Sequence, residues 1–190
     1  TMENAVFDHI RQCWNNCIFC FIAEMPQGMR PSLYVKDDDY RMSFLTGSFI
    51  TLSNLSEEDI RRITRFHLSP LHISVHTTNG ELRRRMMRQE RTDDIMDHLP
   101  NMVQDDIDRY CQIVLVPGYN AGEDFSRTVR DLESLRPNVL GIAVVPLGMT
   151  KFRSGCMHLD PVTPELARDI IRRAQPFVQR SRKEGRGSFV

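Results

Sequence analysis

Short apolar, β-branched runs recur along the chain, and each is followed by a longer polar segment in which apolar residues return at helical spacing. The clearest runs are Phe49-Ile50-Thr51-Leu52, Leu71-His72-Ile73-Ser74-Val75, Gln112-Ile113-Val114-Leu115-Val116 and Gly141-Ile142-Ala143-Val144-Val145, with a weaker one from Ala5 to Ile10. This alternation predicts βα units and an α/β fold, an open, partial (β/α) barrel of about five to six parallel strands. Helix starts are legible too. Ser56 with Asp59 three residues later has the capping-box pattern ahead of Ile60 and Ile63, and Thr163 precedes Pro164 at a first helical position. Phe125, Val129, Leu132 and Leu135 form one apolar stripe, and Leu166, Ile170, Ala174 and Phe177 another, each suited to lie against a sheet.

Each apolar run ends in polar or turn-forming residues: Ser53-Asn54, His76-Thr77, Pro117-Gly118-Tyr119-Asn120 and Pro146-Leu147-Gly148. Active sites of parallel α/β folds lie at the C-terminal ends of the strands, so these residues are expected to ring one pocket. No Gly-rich dinucleotide fingerprint or phosphate-binding P-loop follows any run.

Composition narrows the picture. At 190 residues and 41% hydrophobic, residues 1–190 read as a single domain. The chain opens Thr1-Met2 and closes on Gly187-Ser188-Phe189-Val190, which resembles a strand cut short, so a piece of a longer protein is expected. The 25 basic and 25 acidic side chains cancel, which gives no field toward nucleic acid or an anionic membrane. No apolar stretch approaches the roughly 20 residues of a membrane span. Of the 5 cysteines, three fall between positions 13 and 20 and the other two are remote, a poor pattern for structural disulfides and a better one for a reducing cytoplasm.

Cys13, Cys17 and Cys20 have the spacing C-x3-C-x2-C in a loop after the first weak run. Sulfur donors select zinc or an iron–sulfur cluster, and a four-iron cluster with three protein ligands keeps one iron free. Zinc needs a fourth ligand, from His9, Cys111 or Cys156, and its sites more often use two paired ligands. Trp14, Ile18, Phe19 and Phe21 around the cysteines either shelter a redox centre or simply pack.

With an aromatic residue, Phe19, immediately before the last cysteine, this loop resembles the signature of the radical S-adenosylmethionine (radical SAM) superfamily, whose core is TIM-barrel-like. The resemblance implies a [4Fe-4S] cluster on Cys13, Cys17 and Cys20, S-adenosylmethionine chelated to the free iron with Phe19 near its adenine, and reductive cleavage to a 5′-deoxyadenosyl radical. It also implies an electron donor such as flavodoxin or ferredoxin. Cys17-Ile18-Phe19-Cys20-Phe21, Leu33 to Arg41, Leu68-Ser69-Pro70-Leu71, Ser74 to Thr78 and Gln112 to Leu115 further resemble one uncharacterised subfamily, in which such a core lies between an N-terminal PDZ-like domain and a C-terminal domain of unknown function. Ser48, Val116 and Ala121 depart from it, standing where Asn, Cys and Asp are usual.

By the same resemblance, Thr51, Ser53 and Asn54 lie where the methionyl amino group is held, although the usual Gly-Gly-Glu is missing; a helix start before Ser56 explains Asn54 as well. Ser74 and His76 share a strand face and are expected at the ribose or the substrate, with a hydrogen-bonded core histidine as the competing account. Gly118 and Asn120 are candidates for the adenine, within what is also an ordinary turn. Lys36 to Arg41 is a charged run that either positions a substrate or forms a solvated turn. Arg83, Arg84, Arg85, Arg88 and Arg91 suit an RNA-modifying enzyme or, more simply, a solvated helix face. Cys111 and Cys156 read as buried core thiols. A non-enzymatic zinc- or cluster-bearing interaction module is the remaining alternative. No catalytic residue is singled out.

Overall fold

The computed structural model describes residues 9–90 and 94–190. Two helices, α1 (Tyr40–Thr46) and α2 (Glu57–Arg65), precede the first strand, β1 (Leu71–Ser74). The helices α3 (Gly80–Met87) and α4 (Ile95–Gln104) lead to β2 (Arg109–Leu115), α5 (Glu123–Glu133) leads to β3 (Val139–Pro146), and α6 (Pro164–Lys183) follows. The strands pair in parallel in the order β1-β2-β3. Helical crossovers are what parallel neighbours require.

Among the described residues the sheet has three strands. The expected strand at 49–52 is reduced to a single parallel bridge, Ile50 to Ile73, because Leu52 turns into the left-handed region at φ 62. Ile50 nonetheless exchanges backbone bonds with β1, donating to His72 O at 2.9 Å and accepting from Ser74 N at 2.7 Å. On the other edge, Ile142 N donates to Phe189 O at 2.7 Å, which sets the C-terminal segment beside β3. The weak run from Ala5 to Ile10 lies largely outside the described residues.

The expected caps form. Ser56 and Asp59 make the reciprocal capping box of α2, and Thr163 Oγ1 accepts from Leu166 N with Pro164 in the first turn of α6. The stripes bury Phe125, Val129 and Leu132 of α5 and Ile170, Ala174 and Phe177 of α6 in one core with Ile73, Val75, Ile113 and Leu115. Each fully buried large side chain contributes roughly 1.5–3 kcal/mol. A smaller apolar cluster of Ile18, Met86, Val116, Leu147 and Leu159 sits under the cysteine loop. Among the described residues no helix is long and apolar enough to cross a membrane.

Candidate functional site

The cysteine loop is fastened to the rest of the fold by its backbone. Cys13 N donates to Lys36 O at 2.7 Å next to an antiparallel bridge between Gln12 and Asp37. Asn16 N and Ile18 N donate to Met87 O (3.0 Å) and Met86 O (2.9 Å) at the end of α3, so both flanks of Cys17 are held. Cys20 then opens a 3-10 turn, Phe21–Glu24. A loop so pinned has few ways to move its three thiols, all of which are free and half-buried.

Cys13, Cys17 and Cys20 face a cavity of about 510 Å³ at the C-terminal ends of the strands, also lined by Phe19, Asp38, Thr51, Ser74, His76, Gln112 and Val114. Thus Phe19, Thr51, Ser74 and His76, separated by up to 57 positions, are brought to the cysteines. Phe19 meets the His76 ring edge-on, with centroids 4.6 Å apart. Trp14 and Phe21 are 77% and 73% exposed, Phe21 at the edge of the cavity, whereas Ile18 is buried in the apolar cluster below and Phe19 is half-buried in the cavity wall.

Asn54, Gly118 and Asn120 do not line this cavity. The Asn54 amide donates to Gln12 O and Asp38 O, joining the two segments that frame the loop. Gly118 occupies an exposed turn at φ 77, a conformation that favours glycine. Asn120 is fully buried, accepting from Val116 N at 2.8 Å and donating to Val114 O and His76 O. Its side-chain amide thus fixes the strand ends.

His76 is held at φ 64, a strained conformation for a side chain of this size. Its Nδ1 accepts from Val114 N at 3.3 Å. Burial, aided by the positive charge of Arg83, lowers its pKa to about 3, so the ring is neutral. Burial and the neighbouring Cys13 and Cys20 push the Cys17 thiol up to about 12, while Arg83 acts in the opposite sense. Burial and the charge of Asp38 raise Cys13 as well. Cys13 and Cys17 are thus disfavoured from ionising unless a cation joins them.

The two charged runs named from the sequence bury some of their members, which sequence patterns did not mark. Asp38 is 1% exposed, with one carboxylate oxygen accepting from Thr51 N (2.5 Å) and the other from Thr51 Oγ1 (2.6 Å). Burial raises its pKa against those bonds. Asp39 caps α1 and is gripped by Arg41, while Tyr40 is buried. The run from Lys36 to Arg41 thus divides: Lys36, exposed Asp37 and buried Asp38 line the cavity, while Asp39, paired with Arg41, starts α1. Its signal lay in the Asp39 cap followed by a helical segment. Arg83, expected on a solvated face, is 1% exposed and donates to the carbonyls of Thr51, Ser74 and Val75. Arg85 and Arg88 are exposed, and Arg91 lies outside the described residues. Cys111 is buried in β2, whereas Cys156 is only half-buried, 3.6 Å from Ala23 O. Among the described residues no group of three or more His, Cys, Asp or Glu side chains converges closely enough to hold one metal ion.

A family model described as a radical SAM-like domain matches residues 1–142. Among solved structures, a radical SAM methyltransferase from Sphaerobacter thermophilus is similar, at 19% identity and a TM-score of 0.45, over 67% of this chain. The chain spans 36% of that protein's length. No protein of curated function matches significantly.

Proposed function

The chain belongs to the radical SAM-like domain family, and from that premise we propose that it is the core of a radical SAM enzyme carrying a [4Fe-4S] cluster on Cys13, Cys17 and Cys20. The observation that carries the reading is the common cavity onto which these three free, half-buried thiols open. The donor chemistry fits. Cubane clusters take cysteine thiolates on different irons, which three cysteines opening on one cavity can supply. With S-adenosylmethionine bound, such a cluster supplies one-electron reductive cleavage to methionine and a 5′-deoxyadenosyl radical, which abstracts hydrogen from a substrate.

The chain's own residues bind, orient and shield. Phe19 offers an apolar ring for the adenine, its tilt set by the neutral His76. Ser74 and His76 present polar groups to the ribose or the substrate, and Thr51 serves at the methionyl end, its position locked by Asp38. Asn54, Gly118 and Asn120 act by holding backbone in place. Val114, Val145 and Phe49 restrict water.

The finer expectations belong to the same proposal. The bridge at Ile50 and the bond to Phe189 O extend the three-stranded sheet at both edges, which supports a partial barrel of five to six strands. Flanking PDZ-like and C-terminal domains, a cytoplasmic setting and a flavodoxin- or ferredoxin-type donor complete it.

The test is anaerobic reconstitution with iron and sulfide, reduction, and incubation with S-adenosylmethionine. About four irons per chain and release of 5′-deoxyadenosine, both lost in Cys17→Ala, are expected. Zinc at one per chain without iron uptake, or product that persists in Cys17→Ala, overturns the assignment.

A further inference from the structure

Arg83 is a fully buried cation whose donors go to carbonyl oxygens: Thr51 O at 2.7 Å, Val75 O at 3.2 Å and Ser74 O at 3.3 Å. Among the described residues no carboxylate comes within ion-pair distance of it. A buried charge that pairs with no carboxylate is strongly destabilising; the carbonyl dipoles offset part of that, and Asp38 and Asp94 act on it only from beyond ion-pair distance. A further anion nearby would complete its neutralisation.

The geometry indicates where that anion sits. Met86 and Met87 lie three and four residues after Arg83, on the same face of α3. Their carbonyls accept from Ile18 and Asn16, the residues on either side of Cys17. The guanidinium is bonded beneath Thr51 and Ser74, which line the cavity that Cys17 lines. We propose that Arg83 is the counter-cation of the metal centre held by Cys13, Cys17 and Cys20, a positioning residue whose fixed charge raises the reduction potential of that centre.

This rests on the cluster reading above. Reduction takes one electron from a low-potential one-electron donor, dithionite in the assay, moves no proton and breaks no bond in the protein. The centre becomes more negative by one charge, and a fixed cation favours that state.

The experiment compares wild type, Arg83→Gln and Arg83→Lys after reconstitution, by redox titration followed by electron paramagnetic resonance. Arg83→Gln keeps a hydrogen-bonding side chain without the charge, and its reduction equilibrium is expected to shift about tenfold against the reduced form, about 59 mV for a one-electron couple. Arg83→Lys keeps the charge and is expected to stay within about threefold of wild type. A merely structural role moves the stability of both variants and leaves the potential of their loaded fractions alone; that result overturns the proposal. Should Arg83→Gln fail to fold, Arg83→Lys decides by itself. A buried lysine loses its proton at lower pH than usual, so its potential is expected to fall between about pH 7 and 9, where Arg83, lowered by burial only to about 10, keeps its charge; wild type, the control for Asp38, Asp94 and His76 around this position, stays level there. Level curves in both overturn the proposal. If wild type takes up no iron, the cluster reading fails and this one with it; if it loads and the potentials agree, only this one fails.

Discussion

The Asn15 side-chain amide lies 3.0 Å from Thr51 Oγ1, and the same nitrogen reaches Ser53 Oγ at 2.7 Å and Cys13 Sγ at 3.3 Å. Since Thr51 gives its hydroxyl proton to Asp38, an unbroken set of hydrogen bonds runs from the buried carboxylate to the first cysteine. The cysteine loop is thus tied to the end of the 49–52 segment by side chains as well as to α3 by backbone.

Breaking this link should loosen the loop. Asn15→Ala removes the donor to Cys13 and leaves the acceptors to find other partners, with an expected loss of about 1 kcal/mol. Thr51→Val also strips a buried carboxylate oxygen of its donor, for an expected loss of about 2–3 kcal/mol. Urea denaturation of the metal-free proteins measures both. Equal losses would show that Asp38 does not depend on the Thr51 hydroxyl.

His76 predicts a pH dependence. Its folded pKa is near 3, lowered by burial and then by Arg83, while the unfolded value is about 6.5. Between those values the unfolded chain binds a proton that the folded chain refuses, so stability is complete above pH 6.5 and declines as pH falls toward 3. From pH 6.5 to 5 the decline should be about 2 kcal/mol in metal-free protein, by urea denaturation. His76→Asn tolerates the left-handed backbone, can accept from Val114 N, and should flatten that part of the profile. An unchanged slope in the variant would assign the decline to other groups.

Much of this architecture was legible because it follows period and caps. Leu71 to Val75, Gln112 to Val116 and Gly141 to Val145 became strands, and Ser56 and Thr163 became helix caps, since local signals and burial there agree. The 49–52 run read as a strand but stops after one bridge, where Leu52 takes a positive φ that no glycine announces. The cysteine triplet stood out by its spacing and Phe19 by the family resemblance, and the structure adds the cavity that they share. Arg83 and Asp38 were not legible, because a charged residue among charged neighbours carries no mark of burial; only the fold decides which member of the run turns inward.

The buried pair of Glu24 and Arg153 joins the turn after Cys20 to the segment that follows β3, and Arg153 also donates to Met157 O at 2.9 Å. Arg153→Met leaves the Glu24 carboxylate, 3% exposed, without its cation and should lower stability by about 3–5 kcal/mol. Adding Glu24→Gln should restore at least about 1 kcal/mol in a double-mutant cycle on denaturation. Additive losses would mean that the two side chains act independently.

Met86 has two attachments to the cysteine loop. Its side chain, fully buried, packs in the small cluster with Ile18, Leu147 and Leu159, and its carbonyl accepts from Ile18 N. Met86→Ala keeps the carbonyl bond and opens a cavity, for an expected loss of about 2–5 kcal/mol. Ile18→Ala empties the same cluster from the other side. Because the two share one cavity, their combined loss should fall short of the sum by about 0.5 kcal/mol or more. The readouts are urea denaturation and the rate at which an alkylating reagent modifies Cys17 in metal-free protein. Faster modification in both variants, with Cys111 still protected in β2, is expected if this cluster holds the loop down; unchanged rates would show that the backbone bonds to α3 suffice.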